Sequence, residues 1–107
     1  MFSKDRRIHT TKDIIQVLRR GIRLNSGTLS YSFIRKPGNL SRIAVIVDKK
    51  VSKKAVLRNL LKRRTRSLLR SFTLPAGDSV IRLYPGTEET SFEELGKALE
   101  QCLQKIK

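Results

Sequence analysis

The sequence predicts a single α+β domain, an α/β sandwich, from three observations. Apolar residues alternate with polar ones from Leu29 to Arg35, and two further apolar runs follow at Arg42 to Val47 and Ser79 to Tyr84, which is the pattern of strands. Between the last two runs lies a helical pattern from about Lys53 to Phe72, so that stretch reads as a βαβ unit with parallel pairing. A stripe of Phe92, Leu95, Leu99, Cys102, Leu103 and Ile106 closes the chain as an amphipathic helix. The 107 residues suit one domain spanning 1–107, and a 38% hydrophobic content suffices for one modest core. There is no internal repeat.

Residues 1–10 read as a basic, flexible arm carrying Lys4, Arg6 and Arg7. Thr10 or Thr11 then caps a short helix with Asp13 in its first turn and Ile14, Val17 and Leu18 on its apolar face. Gly21 fits the left-handed residue that ends such a helix. The strand from Leu29 places Tyr31 and Phe33 on one face, where they either pack into the core or offer rings to unpaired bases. Pro37-Gly38-Asn39 is a turn, so the run from Arg42 is expected to return as an antiparallel neighbour of the first. The long helix has Val56, Leu57, Leu60, Leu61 and Leu68 on its apolar side. Pro75-Ala76-Gly77-Asp78 stops it, Pro85-Gly86 ends the last strand, and Ser91-Phe92-Glu93-Glu94 is a capping box.

Charge says most about function. From Lys49 to Arg70 the chain carries ten bases and no acid: Lys49, Lys50, Lys53, Lys54, Arg58, Lys62, Arg63, Arg64, Arg66 and Arg70. At 100° per residue Arg58, Lys62, Arg66 and Arg70 form an i, i+4 ladder, with Asn59 and Arg63 beside it. Each like-charge pair opposes the helix by about 0.2–0.5 kcal/mol, so the ladder suits an external polyanion and not folding. A solvated face would mix signs. The whole chain has 24 Lys+Arg against 9 Asp+Glu, a formal charge of +15 and a pI near 11.0. Residues 1–87 hold 21 bases and 4 acids, and residues 88–107 hold three bases and five acids, so the last helix is not expected to face nucleic acid.

Several classes are excluded. No apolar run approaches the roughly 20 residues of a membrane span, and the basic N-terminus leads into polar residues without a signal sequence, so no membrane partner is expected. The single cysteine, Cys102, suits a reducing, cytoplasmic setting and reads as core filler. No nucleophile with its base, carboxylate pair, glycine-rich phosphate loop or zinc cluster is visible. His9 sits in the basic arm as a solvated or phosphate-contacting residue. Asp48 and Asp78, near the ends of neighbouring strands, read as cap and turn residues and not as a metal pair. No catalytic side chain, metal ligand or protein-bound cofactor is therefore expected.

Lys49-Lys50-Val51, then Ala55-Val56-Leu57-Arg58-Asn59, then Lys62-Arg63-Arg64-Thr65-Arg66 resembles the signature region of the bacterial ribonuclease P protein component. Its hallmark is K-K-V, A-V-x-R-N-R and K-R-x-x-R. The basic N-terminus, the Thr11-Lys12-Asp13 helix closing at Gly21, the flanking strands and the Phe92-Glu93-Glu94-Leu95 helix resemble that family over nearly the full chain. The resemblance implies the order α-β-β-β-α-β-α, a four-stranded sheet and a left-handed βαβ crossover, against the general rule for such units. It also implies an enzyme whose chemistry belongs to a magnesium-dependent RNA subunit that removes the 5′ leader of precursor tRNA. The protein would bind that RNA and the leader, as a monomer in a 1:1 complex. By matching motif positions, Arg58, Asn59, Lys62, Arg63 and Arg66 are expected on the catalytic RNA with Lys49 and Lys50 near it, and Lys53, Lys54 and Arg70 of the same basic stretch are expected to join them. Ile14, Leu18, Tyr31 and Phe33 are expected at the leader. Leu60 replaces the second arginine of R-N-R, Ser52 replaces a usual glycine, an extra residue separates Lys50 from Ala55, and Ile14 and Leu18 stand where two phenylalanines are usual. A small ribosomal or general RNA-binding protein without a role in cleavage is the alternative.

Overall fold

A computed structural model describes residues 6–8 and 10–106. Lys4 and His9 lie outside the described residues. The elements run α1 (Thr11–Arg20), β1 (Ile22–Ser26), β2 (Leu29–Arg35), β3 (Ser41–Val47), α2 (Ala55–Arg70), β4 (Gly77–Leu83) and α3 (Phe92–Ile106), with a 3-10 turn at Thr87–Glu89. This is the expected order, and the four strands form one sheet. Among the described residues no helix is long and apolar enough to cross a membrane.

The sheet order is β1-β2-β4-β3, with β3 and β4 parallel and the other pairs antiparallel. The βαβ unit is therefore present, but the hairpin expected at Pro37-Gly38-Asn39 is not. Strand β4 lies between β2 and β3, pairing Tyr31 with Ile81 on one side and Val45 with Ile81 on the other. Buried on both faces, β4 reads Val80, Ile81, Leu83, as a central strand should.

Alternation divides the sheet between two cores. Leu29, Tyr31, Phe33, Ile43, Val45, Val47, Ile81 and Leu83 face α2 and α3, meeting Leu61, Leu69, Leu95, Leu99, Cys102, Leu103 and Ile106. On the other face Val80 meets Ile8 and Val17, with Ile14, Leu18, Ile34, Ala44 and Ile46 packed around them. The burial of Cys102 pushes its thiol up, consistent with core filler. Val56, expected on the apolar side of α2, is 82% exposed, because Leu61, Thr65 and Leu69 define the buried line.

Residues 6–8 are not a free arm. Arg7 bridges to Ile43 in parallel and the Ile8 N–H donates to the Ile43 carbonyl at 2.9 Å, so this segment covers the open edge of β3. Thr10 is the N-cap of α1, accepting from the Asp13 N–H at 3.2 Å. Gly21 is extended, not left-handed (φ −77°, ψ 165°). Glycine is required there by space: a Cβ would sit 2.6 Å from the carbonyl oxygens of both Phe33 and Val17.

Gly77 opens β4 at φ +137°, and a Cβ there would collide with the Ile34 carbonyl oxygen across the β2 pairing. Gly77→Ala is expected to cost about 1–3 kcal/mol of folding stability, read as a lower urea midpoint, because strain and collision act at one position. An unchanged midpoint would show that the β2–β4 junction yields freely.

Candidate nucleic-acid interface

Helix α2 presents its bases outward because its buried line occupies the opposite arc. Arg63 and Arg70 are exposed with Asn59, while Arg58, Lys62 and Arg66 are half-buried along the flank. The N-terminus of α2 has no side-chain cap and no acid in its first turn, and Lys53 and Lys54 stand exposed before it. Cations there oppose the helix dipole, so an anion at that end would stabilise the arrangement. Lys49 and Lys50 are exposed in the turn after β3. The signature residues are thus brought to one helix and the turn that feeds it. Arg58 differs from the others: its guanidinium donates to the Ser52 carbonyl at 2.7 Å, bracing that turn.

Arg66 also feels the charge of Arg7. Burial first, then the charge of Arg7, pull the Arg66 pKa below its ordinary value, and Arg7 Nε is buried without a hydrogen-bond partner among the described residues. A phosphate beside Arg66 would offset this repulsion.

The expected leader residues are not brought together. Ile14 and Leu18 lie on the α1 face of the sheet, but Tyr31 and Phe33 lie on the opposite face, 0% and 2% exposed. The Tyr31 hydroxyl donates to Ser79 Oγ at 2.7 Å, and burial pushes its pKa up to about 12. These rings are core, and stacking on a base from there is excluded. The residues beside them that do face α1 are Ser30, Ser32 and Ile34. Strict alternation along β2 held this information, with Ile34 in phase with the two serines.

Beyond α1 that face carries a polar strip that sequence reasoning missed. The Arg23 guanidinium donates to the Tyr84 hydroxyl at 2.7 Å, and Tyr84 shares a hydrogen bond with Ser30 at 3.3 Å. The Arg82 guanidinium lies 5.3 Å from the centre of the Tyr84 ring and contacts Asp48 at 3.1 Å. Ser32 Oγ and Arg82 Nε are buried without hydrogen-bond partners among the described residues. Such a strip offers a half-buried tyrosine ring and two guanidinium groups, a combination suited to single-stranded nucleic acid.

Asp48 and Asp78 cannot share a metal. They lie at opposite ends of the parallel pair, with Asp48 just past the end of β3 and Asp78 at the start of β4 beside Arg42. Asp78 is not a turn residue: its side chain is 2% exposed and takes a two-pronged contact from Arg42 and an ion pair from Lys36 at 2.9 Å. Among the described residues no group of three or more His, Cys, Asp or Glu could hold a metal ion.

Comparison with known proteins gives the family and the fold. A family model described as Ribonuclease P matches residues 2–107. The ribonuclease P protein component of Clavibacter michiganensis subsp. michiganensis is 32% identical over 114 residues, covering 99% of this chain and all of that one. The protein of the same name from Picosynechococcus sp. is 29% identical, covering 94% of this chain and 89% of that one. The solved RNase P protein from Thermotoga maritima has a TM-score of 0.83 at 25% identity, over 94% of this chain and 97% of that one. The Staphylococcus aureus RNase P protein shares the fold with a TM-score of 0.82 at 22% identity, over 96% of this chain and 95% of that one.

Proposed function

This chain belongs to the ribonuclease P protein family, whose work is tRNA processing within a ribonucleoprotein, and from that premise we propose a division of labour between its two faces. Helix α2 and the Lys49–Lys54 approach bind the catalytic RNA, and the sheet face beside α1 holds the 5′ leader of precursor tRNA. The observation that carries the reading is a helix with an outward basic arc and no acid, in a chain whose motif there matches the family's. Neutralising RNA phosphates releases condensed counterions, so α2 supplies affinity without chemistry. Magnesium-dependent cleavage belongs to the RNA subunit, and the protein works beside it in the cytoplasm as one copy per RNA.

The leader side rests on different residues from those the family pattern suggested. Ile14 and Leu18 give an aliphatic wall in place of two phenylalanines, and Tyr31 and Phe33 take no part. Arg23, Arg82 and Tyr84 supply the charge and the ring on that sheet face. Base–aromatic stacking contributes about 1–3 kcal/mol per base, so one ring with two guanidinium groups gives a grip that leans on charge.

The test is cleavage of a 5′-extended precursor tRNA at low magnesium by a bacterial ribonuclease P RNA, with and without this protein. Stimulation at the mature 5′ end is expected. Tight RNA binding without stimulation, with a cognate RNA subunit also tried, would replace this reading by a general RNA-binding role.

A further inference from the structure

We propose that the hollow between the outer flank of α2 and the first turn of α3 receives an unstacked nucleotide of the bound RNA, its base on the Phe92 ring and its phosphate among the arginines. The inference rests on the reading of α2 as an RNA surface, and it adds the form of RNA recognised there: a bulged or single-stranded nucleotide, not a continuous duplex.

Arg63, Arg64, Arg66, Ser67, Arg70 and Phe92 line a hollow of about 350 Å³. Four arginines and no acid line it. Phe92 begins the apolar stripe of α3, yet it is 49% exposed, while Leu95, Leu99, Cys102, Leu103 and Ile106 are all buried. The capping box fixes its position, since the Glu94 N–H donates to Ser91 Oγ at 3.1 Å and the Leu95 N–H to the Ser91 carbonyl at 3.0 Å. An aromatic ring is thus held in the open where the first turn of α3 stands beside the basic helix. The nearby acids do not line the hollow: Glu94 is engaged with Ser91, and Glu93 faces Lys97 at 3.7 Å.

Each part matches a part of a nucleotide. The ring offers a stacking surface, the aliphatic stems of the arginines give apolar walls, and guanidinium groups both stack on bases and fork onto phosphates. The volume falls in the range of small-ligand sites. A duplex keeps its base faces inside the stack and would reach only the arginines. An acidic peptide would do the same and leave the ring bare.

The chain has no tryptophan, so Phe92→Trp introduces a single reporter of stacking. Its emission is followed on titration with single-stranded hexaadenylate, a blunt RNA duplex and polyglutamate, while labelled-ligand anisotropy records binding independently. Quenching by hexaadenylate alone is expected. Phe92→Ala, at an exposed site and with an unchanged urea midpoint as its control, should bind hexaadenylate roughly tenfold more weakly and the duplex as before. Equal quenching by duplex or polyglutamate, no quenching by bound hexaadenylate, or unaltered hexaadenylate affinity in Phe92→Ala would each overturn the proposal. Stimulated precursor cleavage without quenching removes this inference and keeps the subunit role; quenching without stimulation does the reverse.

Discussion

Replacing Lys62, Arg63, Arg66 and Arg70 together with glutamine is expected to lower the log–log salt slope of binding to ribonuclease P RNA by about 3. Each phosphate contact contributes roughly 0.7–0.9 to that slope, which at about 0.1 M salt corresponds to a thousandfold loss of affinity. Arg58 is left in place because its bond to the Ser52 carbonyl makes it partly structural. The folded state should not suffer. The replacements remove the like-charge pairs Lys62–Arg66 and Arg66–Arg70, each opposing the helix by about 0.2–0.5 kcal/mol, and they end the repulsion between Arg66 and Arg7. Affinity should fall while the urea midpoint holds or rises, the mark of residues kept for function at some cost in stability. An unchanged slope would move the RNA surface off α2.

The legible part of this interface and the illegible part differ for a physical reason. Ten bases without an acid between Lys49 and Arg70 need no tertiary knowledge, because helical period alone sorts Lys62, Arg63, Arg66 and Arg70 off the buried line, Arg63 and Arg70 to the outside and Lys62 and Arg66 to the flank. The leader side needed strand order. Pro37-Gly38-Asn39 carries a local hairpin signal, but β4 pairs with both β2 and β3, and the extra partners on a strand buried on both faces outweigh a turn preference. With β4 central, the even-numbered residues Ser30, Ser32, Arg82 and Tyr84 share the α1 face, and no local pattern announces that grouping. Strand β1 was reached only through the family resemblance, since Ile22 and Leu24 are too few apolar residues to mark an edge strand. Phe92 was misread for the opposite reason. The stripe of α3 places it with Leu95 and Leu99, but the first turn of α3 stands beside α2, where Phe92 remains half open.

The same strand order gives Asp78 a role that its neighbourhood in sequence, Pro75-Ala76-Gly77, concealed. Arg42 donates to both of its carboxylate oxygens at 2.8 and 2.7 Å, and Lys36 lies at 2.9 Å, so one side chain joins β4, β3 and the segment leaving β2. Arg42 also reaches Asp13 at 3.6 Å, which carries the connection into α1. Asp78→Ala is expected to cost about 2–3 kcal/mol, less than the 3–5 typical of a broken buried pair, because Arg42 and Lys36 retain access to water. The pH dependence follows from the carboxyl itself. Burial alone would push its pKa up, but the hydrogen bonds and charges of Arg42 and Lys36 together hold it below the usual carboxylate range. Below about pH 3.9 the unfolded chain takes up a proton at this position before the folded chain does. Stability from Asp78 is therefore complete above that pH and drains away as the pH falls through the lower folded value. Urea midpoints measured from pH 7 down to about 2.5 should show a steep acid limb in the parent and a shallower one in Asp78→Ala, with Asp48 beside Arg82 supplying part of the remainder. Equal acid limbs, or a midpoint at pH 7 that does not move, would show that Arg42 and Lys36 are held without Asp78 and that the β3–β4 pairing alone fixes this end of the sheet.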